Sequence, residues 1–240
     1  MTRSATRPGD GTGARRAPRV VSWALDYVYV AGLQARAAIG RPLHRSPDPM
    51  LLATGDGRPV LLLPGVYEGW AFLLPVARRL NTLGHPVWTV PALGLNRVPV
   101  ADAARLALDV LAARDLTDVV VVAHSKGGLI GKRMMVTEPE PHRVASLVAI
   151  NTPFTGSRYA RYLPGRTLRA FAPSNPALLE LSATAEVNSR ITSIYAEFDP
   201  HIPATSHLEG ATNVVLPLAG HFRPLAHPLL AQAVVDAVGE

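Results

Sequence analysis

Cysteine is absent from the 240 residues, which excludes a disulfide framework, a thiolate nucleophile and a cysteine-bound metal. Compartment does not follow from that absence, because a disulfide-free enzyme works equally well inside or outside a cell. Lysine is nearly absent too. Lys126 and Lys132 are the only lysines, so a formal net charge of +6 is carried by arginine. Arg3, Arg7, Arg15, Arg16, Arg19, Arg36, Arg41 and Arg45 all precede the first clear strand, which makes the basic excess partly the property of a tail. No nucleic-acid motif accompanies the charge, so it reads as a solvated basic surface or an attraction to anionic lipid, with no nucleic-acid partner expected. No internal repeat is apparent. Charged residues make up 18% and hydrophobic residues 48%, a balance that argues against a disordered chain. The length suits one sizeable core with appendages rather than two domains.

Residues 1–19 are rich in Arg, Gly, Thr and Pro without apolar periodicity and read as a disordered basic leader. Its Gly9-Asp10-Gly11-Thr12-Gly13 run follows no strand and is not a phosphate loop. Residues 20–48 form an N-terminal helical segment: Val21, Ala24, Leu25, Val28, Ala31 and Ala35 recur at near-helical spacing, ending near Gly40 and Pro42. Three readings stay open for it, a helix packed on the domain, a membrane-surface helix, or a cleaved export signal. Asp26, in the middle of the apolar stretch, argues against the signal, and Asp26, Gln34 and Arg36 argue against a membrane span. The location is therefore expected to be cytoplasmic or membrane-peripheral, with export not excluded.

Residues 49–240 alternate strand and helix patterns. Met50 to Ala53 and Val60 to Leu63 flank Gly55-Asp56-Gly57, a hairpin signal. A helix with Leu73, Val76, Ala77, Leu80 and Leu83 on one face follows, closed by Gly84. Pro86 to Val90 predicts a strand and Ala101 to Arg114 a helix. Val119 to Val122 and Val144 to Ile150 predict buried strands, Ile191 to Ala196 and Val214 to Leu218 the last two, and Leu229 to Val238 the closing helix. Pro217 points to a sheet edge for the final strand. The alternation predicts an α/β fold, a mostly parallel sheet with helices on both faces.

The run Val119-Val120-Val121-Val122-Ala123-His124-Ser125-Lys126-Gly127-Gly128 reads as strand, sharp turn and helix. Ser125 falls at the tip, with small residues two positions to either side, next to the unpaired N–H groups of a helix start. A serine hydroxyl is a weak nucleophile unless a base lies within hydrogen-bond reach and an acid holds that base. In a parallel sheet those partners come from loops at the carboxyl ends of strands. The strand from Ile191 leads to Glu197 and Asp199, and the strand from Val214 leads to Gly220-His221. His201 and His207 are rival bases, whereas His124 is expected to pack or bond locally and His227 to start a helix.

Ala123-His124-Ser125-Lys126-Gly127-Gly128 resembles the nucleophile elbow of the α/β-hydrolase superfamily in its bacterial lipase and esterase form, and Asn151-Thr152-Pro153 resembles the bacterial lipase pattern after the next strand. The resemblance implies an α/β-hydrolase fold and a triad of Ser125, Asp199 and His221, with Glu197 as the fallback acid. It also implies an oxyanion hole made by the backbone N–H groups of Val66 and Lys126, and a short cap or lid over about 157–189; the other reading of that segment is an ordinary crossover with a long loop. The chain departs from the pattern at Pro64, where the superfamily usually has histidine, and at Lys126, often methionine, glutamine or leucine. The Lys126 side chain is expected to reach solvent. The implied activity is cleavage of small-molecule or lipid carboxylic esters through an acyl-enzyme, with no metal or organic cofactor required, and peripheral membrane contact through the N-terminal helix or lid is compatible with it. An amidase or acyltransferase on the same triad, or a non-catalytic binding protein of the same fold, are the alternatives.

Overall fold

Short runs of valine, leucine and isoleucine favour extended backbone because branched side chains pack well on a pleated surface. Here they make six strands in a computed structural model that describes residue 21 and residues 24–32, 48–138, 143–162 and 165–239. The strands are β1 (Val60–Leu63), β2 (Val87–Thr89), β3 (Val119–His124), β4 (Val144–Ile150), β5 (Ile191–Phe198) and β6 (Thr212–Ala219). They form one sheet in the order β2-β1-β3-β4-β5-β6, and every neighbouring pair is parallel. Leu63 pairs with Ala123, and Ala123 with Ala149, so the carboxyl ends of the central strands come level.

The central strands are buried on both faces, and alternate residues feed two cores. Val119, Val121 and Ala123 pack with α3 (Val100–Ala113) and α4 (Lys126–Thr137) on one side. Val120 and Val122 pack with α2 (Leu74–Thr82) and α7 (Pro228–Val238) on the other. That double burial explains the unbroken valine run, since a strand with one wet face would alternate with polar residues. A helix over residues 24–32, α1, joins the second layer through buried Val30. The leader, the expected helix end near Gly40 and Pro42, His44 and His142 lie outside the described residues. Among the described residues no helix is long and apolar enough to cross a membrane.

Two expectations meet different outcomes. Pro217 does lie in the edge strand, β6. The hairpin does not form: Pro49–Leu52 is a 3-10 helix, because the Asp48 carboxylate accepts from the Met50 N–H (2.9 Å) and Pro49 presets the first helical position. The nearby glycines serve close approach instead. Gly57 donates its N–H to the Gly84 carbonyl (2.9 Å), and a Cβ on Gly55 would stand 2.1 Å from that oxygen.

Between β4 and β5 the chain carries α5 (Arg166–Arg169) and α6 (Pro176–Ala183). Phe171, Leu178, Leu181 and Val187 of this segment are buried in the same core as α4.

Candidate active site

Ser125 sits between β3 and α4 with φ 52° and ψ −118°, a conformation that a side-chain-bearing residue adopts only when its surroundings enforce it. The enforcement is visible in its neighbours. A Cβ on Gly127 would lie 2.1 Å from the Leu63 carbonyl oxygen, and one on Gly128 would lie 2.0 Å from Thr152 Oγ1. Both glycines let α4 start hard against the strand ends, which thrusts the Ser125 hydroxyl up at the sheet's rim.

Ser125 Oγ lies 2.9 Å from His221 Nε2, and His221 Nδ1 lies 2.7 Å from Asp199 Oδ2. Asp199 Oδ1 accepts from the N–H groups of His201 (2.8 Å) and Ile202 (3.1 Å). Burial works against the Asp199 carboxylate, but the adjoining His221 and these hydrogen bonds hold its pKa below the usual carboxylate value. For His221, burial would lower the pKa; the charge and hydrogen bond of Asp199, with Glu68 and Asp26 adding, outweigh it and leave the imidazole raised. An ionised Asp199 fixes the proton on Nδ1, which leaves Nε2 free to accept from the serine hydroxyl. Glu197, the fallback acid, is exposed within β5.

The rival histidines go elsewhere. His201 ring Nε2 lies 3.7 Å from Asp26 Oδ2, and burial, with His221 close by, pushes its pKa down to about 4. His207 lies 3.7 Å from Glu209, and the His227 ring accepts from the Leu229 N–H at the start of α7.

Val66 is half-buried in the loop after β1, and Lys126 opens α4. Among the described residues the backbone N–H of neither has a hydrogen-bond partner. A loop N–H and a helix-start N–H left without partners are the kind of donors an oxyanion would use. The Lys126 side chain does not reach solvent as expected. It is buried, and Nζ donates to the carbonyls of Asn96 (2.8 Å) and Val98. The physical reason is that Asn96 and Val98 offer it acceptors beside the elbow, while Asn96 Nδ2 in turn donates to the Pro64 carbonyl (2.6 Å). The lysine thus braces the loop that carries Val66. Burial pushes its pKa down to about 8.

Several residues escaped the sequence reading. Glu68 accepts from the Gly65 N–H (2.8 Å) and pairs with His124 Nδ1 (2.9 Å), whose Nε2 meets the His221 carbonyl at 3.0 Å. Asn151, at φ 44°, donates from Nδ2 to the same carbonyl (2.9 Å) and accepts from the Ala196 N–H (3.0 Å). Asp26 accepts from the backbone of the His221 loop. The lone carboxylate in an apolar helix was the available signal for Asp26, since such a group needs a buried partner. Among the described residues no group of three or more His, Asp or Glu side chains could hold a metal ion.

No family model matches the sequence. A curated relative from Variovorax paradoxus (strain S110), named "Putative carbamate hydrolase RutD", is 27% identical over 200 residues, covering 75% of this chain and 74% of its own. Among solved structures, an extracellular α/β-hydrolase from a Paenibacillus species matches with a TM-score of 0.55 at 18% identity, over 75% of this chain and 99% of that one. The Bacillus licheniformis lipase BlEst2 matches with a TM-score of 0.59 at 14% identity, over 82% and 95%. At such identities the likeness to solved structures is one of fold.

Proposed function

We propose that this chain, which has the α/β-hydrolase fold, is a serine hydrolase that cleaves carboxylic esters through an acyl-enzyme intermediate. The observation that carries the reading is the hydrogen-bonded chain from Ser125 Oγ through the His221 ring to Asp199. Ser125 attacks the ester carbonyl while His221 Nε2 takes the hydroxyl proton, and Asp199 stabilises the imidazolium that forms. The backbone N–H groups of Val66 and Lys126 receive the oxyanion; one such donor contributes about 3–4 kcal/mol in comparable sites. His221 then returns its proton to the leaving alcohol, and water, activated by the same ring, releases the acid.

The test is ester turnover by Ser125→Ala with its fold intact. A loss on the order of a million-fold is expected; unchanged turnover would mean that this serine is not the nucleophile. The acyl range is read from p-nitrophenyl esters of increasing chain length, with and without a lipid interface. Rates peaking at short chains and indifferent to the interface assign a soluble esterase; interfacial activation assigns a lipid ester.

A second reading, attack on a carbamate or amide carbonyl, is favoured by the name of the Variovorax relative. The same triad would protonate a nitrogen leaving group from His221. Faster release of p-nitroaniline from an acyl p-nitroanilide than of p-nitrophenol from the ester of the same acyl group would make that the preferred substrate class.

A further inference from the structure

Asp26 takes no part in the chemistry just described, yet its burial is complete. It comes from α1, ahead of the sheet, and meets a loop 195 residues later in the chain. Its Oδ2 accepts from the N–H of His221 (2.9 Å), and its Oδ1 accepts from those of Phe222 (2.9 Å) and Arg223 (3.0 Å). Three consecutive N–H groups converging on one carboxylate form an anion-binding nest. The turn into that nest is made by Gly220 at φ 121°, where a Cβ would stand 2.6 Å from Asp26 Oδ1. Among the described residues no lysine or arginine side chain pairs with Asp26; only His201 approaches, at 3.7 Å.

The far side of His221 is also held. Its carbonyl accepts from Asn151 Nδ2 (2.9 Å) and faces His124 Nε2 (3.0 Å). With the N–H fixed by Asp26, both backbone polar groups of the base are immobilised, so the ring can turn only about its own side-chain torsions. The neighbouring residue of α1 adds a wall: the Tyr27 and His201 ring centroids are 5.2 Å apart, and those of His201 and His221 are 5.0 Å apart.

We propose that Asp26 is a positioning residue for His221, supplied by the N-terminal helix, which fixes the base against Ser125 and adds negative charge behind its ring. The proposal rests on the serine-hydrolase reading and names a component of that same site. The groups facing the His221 ring are Asp199 from the loop after β5, Glu68 from the loop after β1, Asp26 from α1, and the rings of His201 and His124. His201, with its pKa pushed down to about 4, is neutral at ordinary pH and brings no positive charge beside Asp26.

The sign follows. Asp26 is among the charges that raise the His221 pKa, so its removal lets the imidazole lose its proton at lower pH. Asp26→Asn keeps the shape of the side chain but turns an amide N–H toward at least one backbone N–H that the carboxylate now accepts.

The experiment compares wild type, Asp26→Asn and Asp26→Ala as full chains. It measures kcat and KM for the best p-nitrophenyl ester, the pH dependence of Ser125 labelling by a fluorophosphonate, and the melting temperature. The expected result is a fall in kcat of up to about a hundredfold with KM little changed, together with an acidic limb of labelling moved to lower pH. Wild-type kcat and an unmoved limb in Asp26→Asn overturn the proposal, as does lost activity with the limb unmoved, which would mark Asp26 as merely structural. If Asp26→Ala fails to fold, Asp26→Asn decides alone. If wild type labels at Ser125 but turns over no ester, the ester reading falls, and the labelling profile still decides the role of Asp26.

Discussion

His124 Nε2 lies 3.0 Å from the carbonyl oxygen of His221, while His124 Nδ1 lies 2.9 Å from both carboxylate oxygens of Glu68. A carbonyl only accepts, so Nε2 is the donor in that contact, and the His124 ring bridges Glu68 to the backbone of the base. Glu68 also receives the Gly65 N–H, so one side chain links the Val66 loop to the base. Glu68→Ala leaves the Gly65 N–H and His124 Nδ1 without this partner, and is expected to lower stability by about 1–3 kcal/mol and to reduce kcat. Urea unfolding and ester kinetics on the variant check both.

Asp199→Asn preserves shape but stabilises the wrong imidazole tautomer. A drop of about ten-thousand-fold in kcat is expected by analogy with other triads. In wild type the neutral ring is the active form and its pKa is raised, so kcat/KM rises with pH and reaches half its plateau above pH 6.5, the ordinary histidine value. In the residual activity of Asp199→Asn that limb moves to lower pH, because the largest raising charge is gone. A kcat/KM profile over pH 4 to about 9 measures the displacement.

Lys132 is fully buried, and among the described residues its Nζ has no hydrogen-bond partner. Burial, partly offset by the charge of Glu186, pushes its pKa down to about 8. Lys132→Met is expected to stabilise the fold by on the order of 1–3 kcal/mol near neutral pH, because an isolated buried charge is replaced by an apolar chain of similar length. The folded-state pKa lies below the unfolded value of 10.5, so wild type gains stability as pH rises from about 8 toward that value. The advantage of the variant should therefore shrink over that window. Urea unfolding at pH 7 and about pH 9.5 tests the magnitude and the trend.

Gly127→Ala forces a methyl group to 2.1 Å from the Leu63 carbonyl oxygen and 3.0 Å from that of Pro64. Neither oxygen can step aside, since both belong to backbone entering the Val66 loop. A stability loss of about 1–3 kcal/mol is expected, together with a fall in fluorophosphonate labelling as Val66 shifts. Thermal melts and labelling rates on the same preparation distinguish the variant from a neutral one.

The order of strands and helices was legible in the sequence because buried parallel strands are written as local apolar runs, and β4 runs from Val144 to Ile150 as read. The resemblance of the Ser125 elbow to α/β-hydrolases is borne out in the fold. The residues read as Ser125, Asp199 and His221 partners do converge, since each follows a strand whose carboxyl end fixes its position. What sequence could not convey is pairing between distant side chains. Asp26 was legible only as an argument against an export signal and a membrane span, Asn151 only as part of the strand exit that resembles the bacterial lipase pattern. Lys126 was misread because nothing local announces that Asn96 and Val98 carbonyls lie above it. The apolar side chains of the Met50 run suggest a strand, but Asp48 and Pro49 start a helical turn there.

Pro217 lies exposed in β6, beside the irregularity where the pairing of β5 and β6 shifts register after Ala196. A proline has no N–H to offer, and a bulge twists the backbone away from the flat outline that another chain could extend. The outer margin of the sheet is thereby blunted as a template for strand addition from a second molecule. A protein with a solvent-facing valine on that same strand, Val215, is in this way guarded against aggregation by one ring closed onto its own backbone.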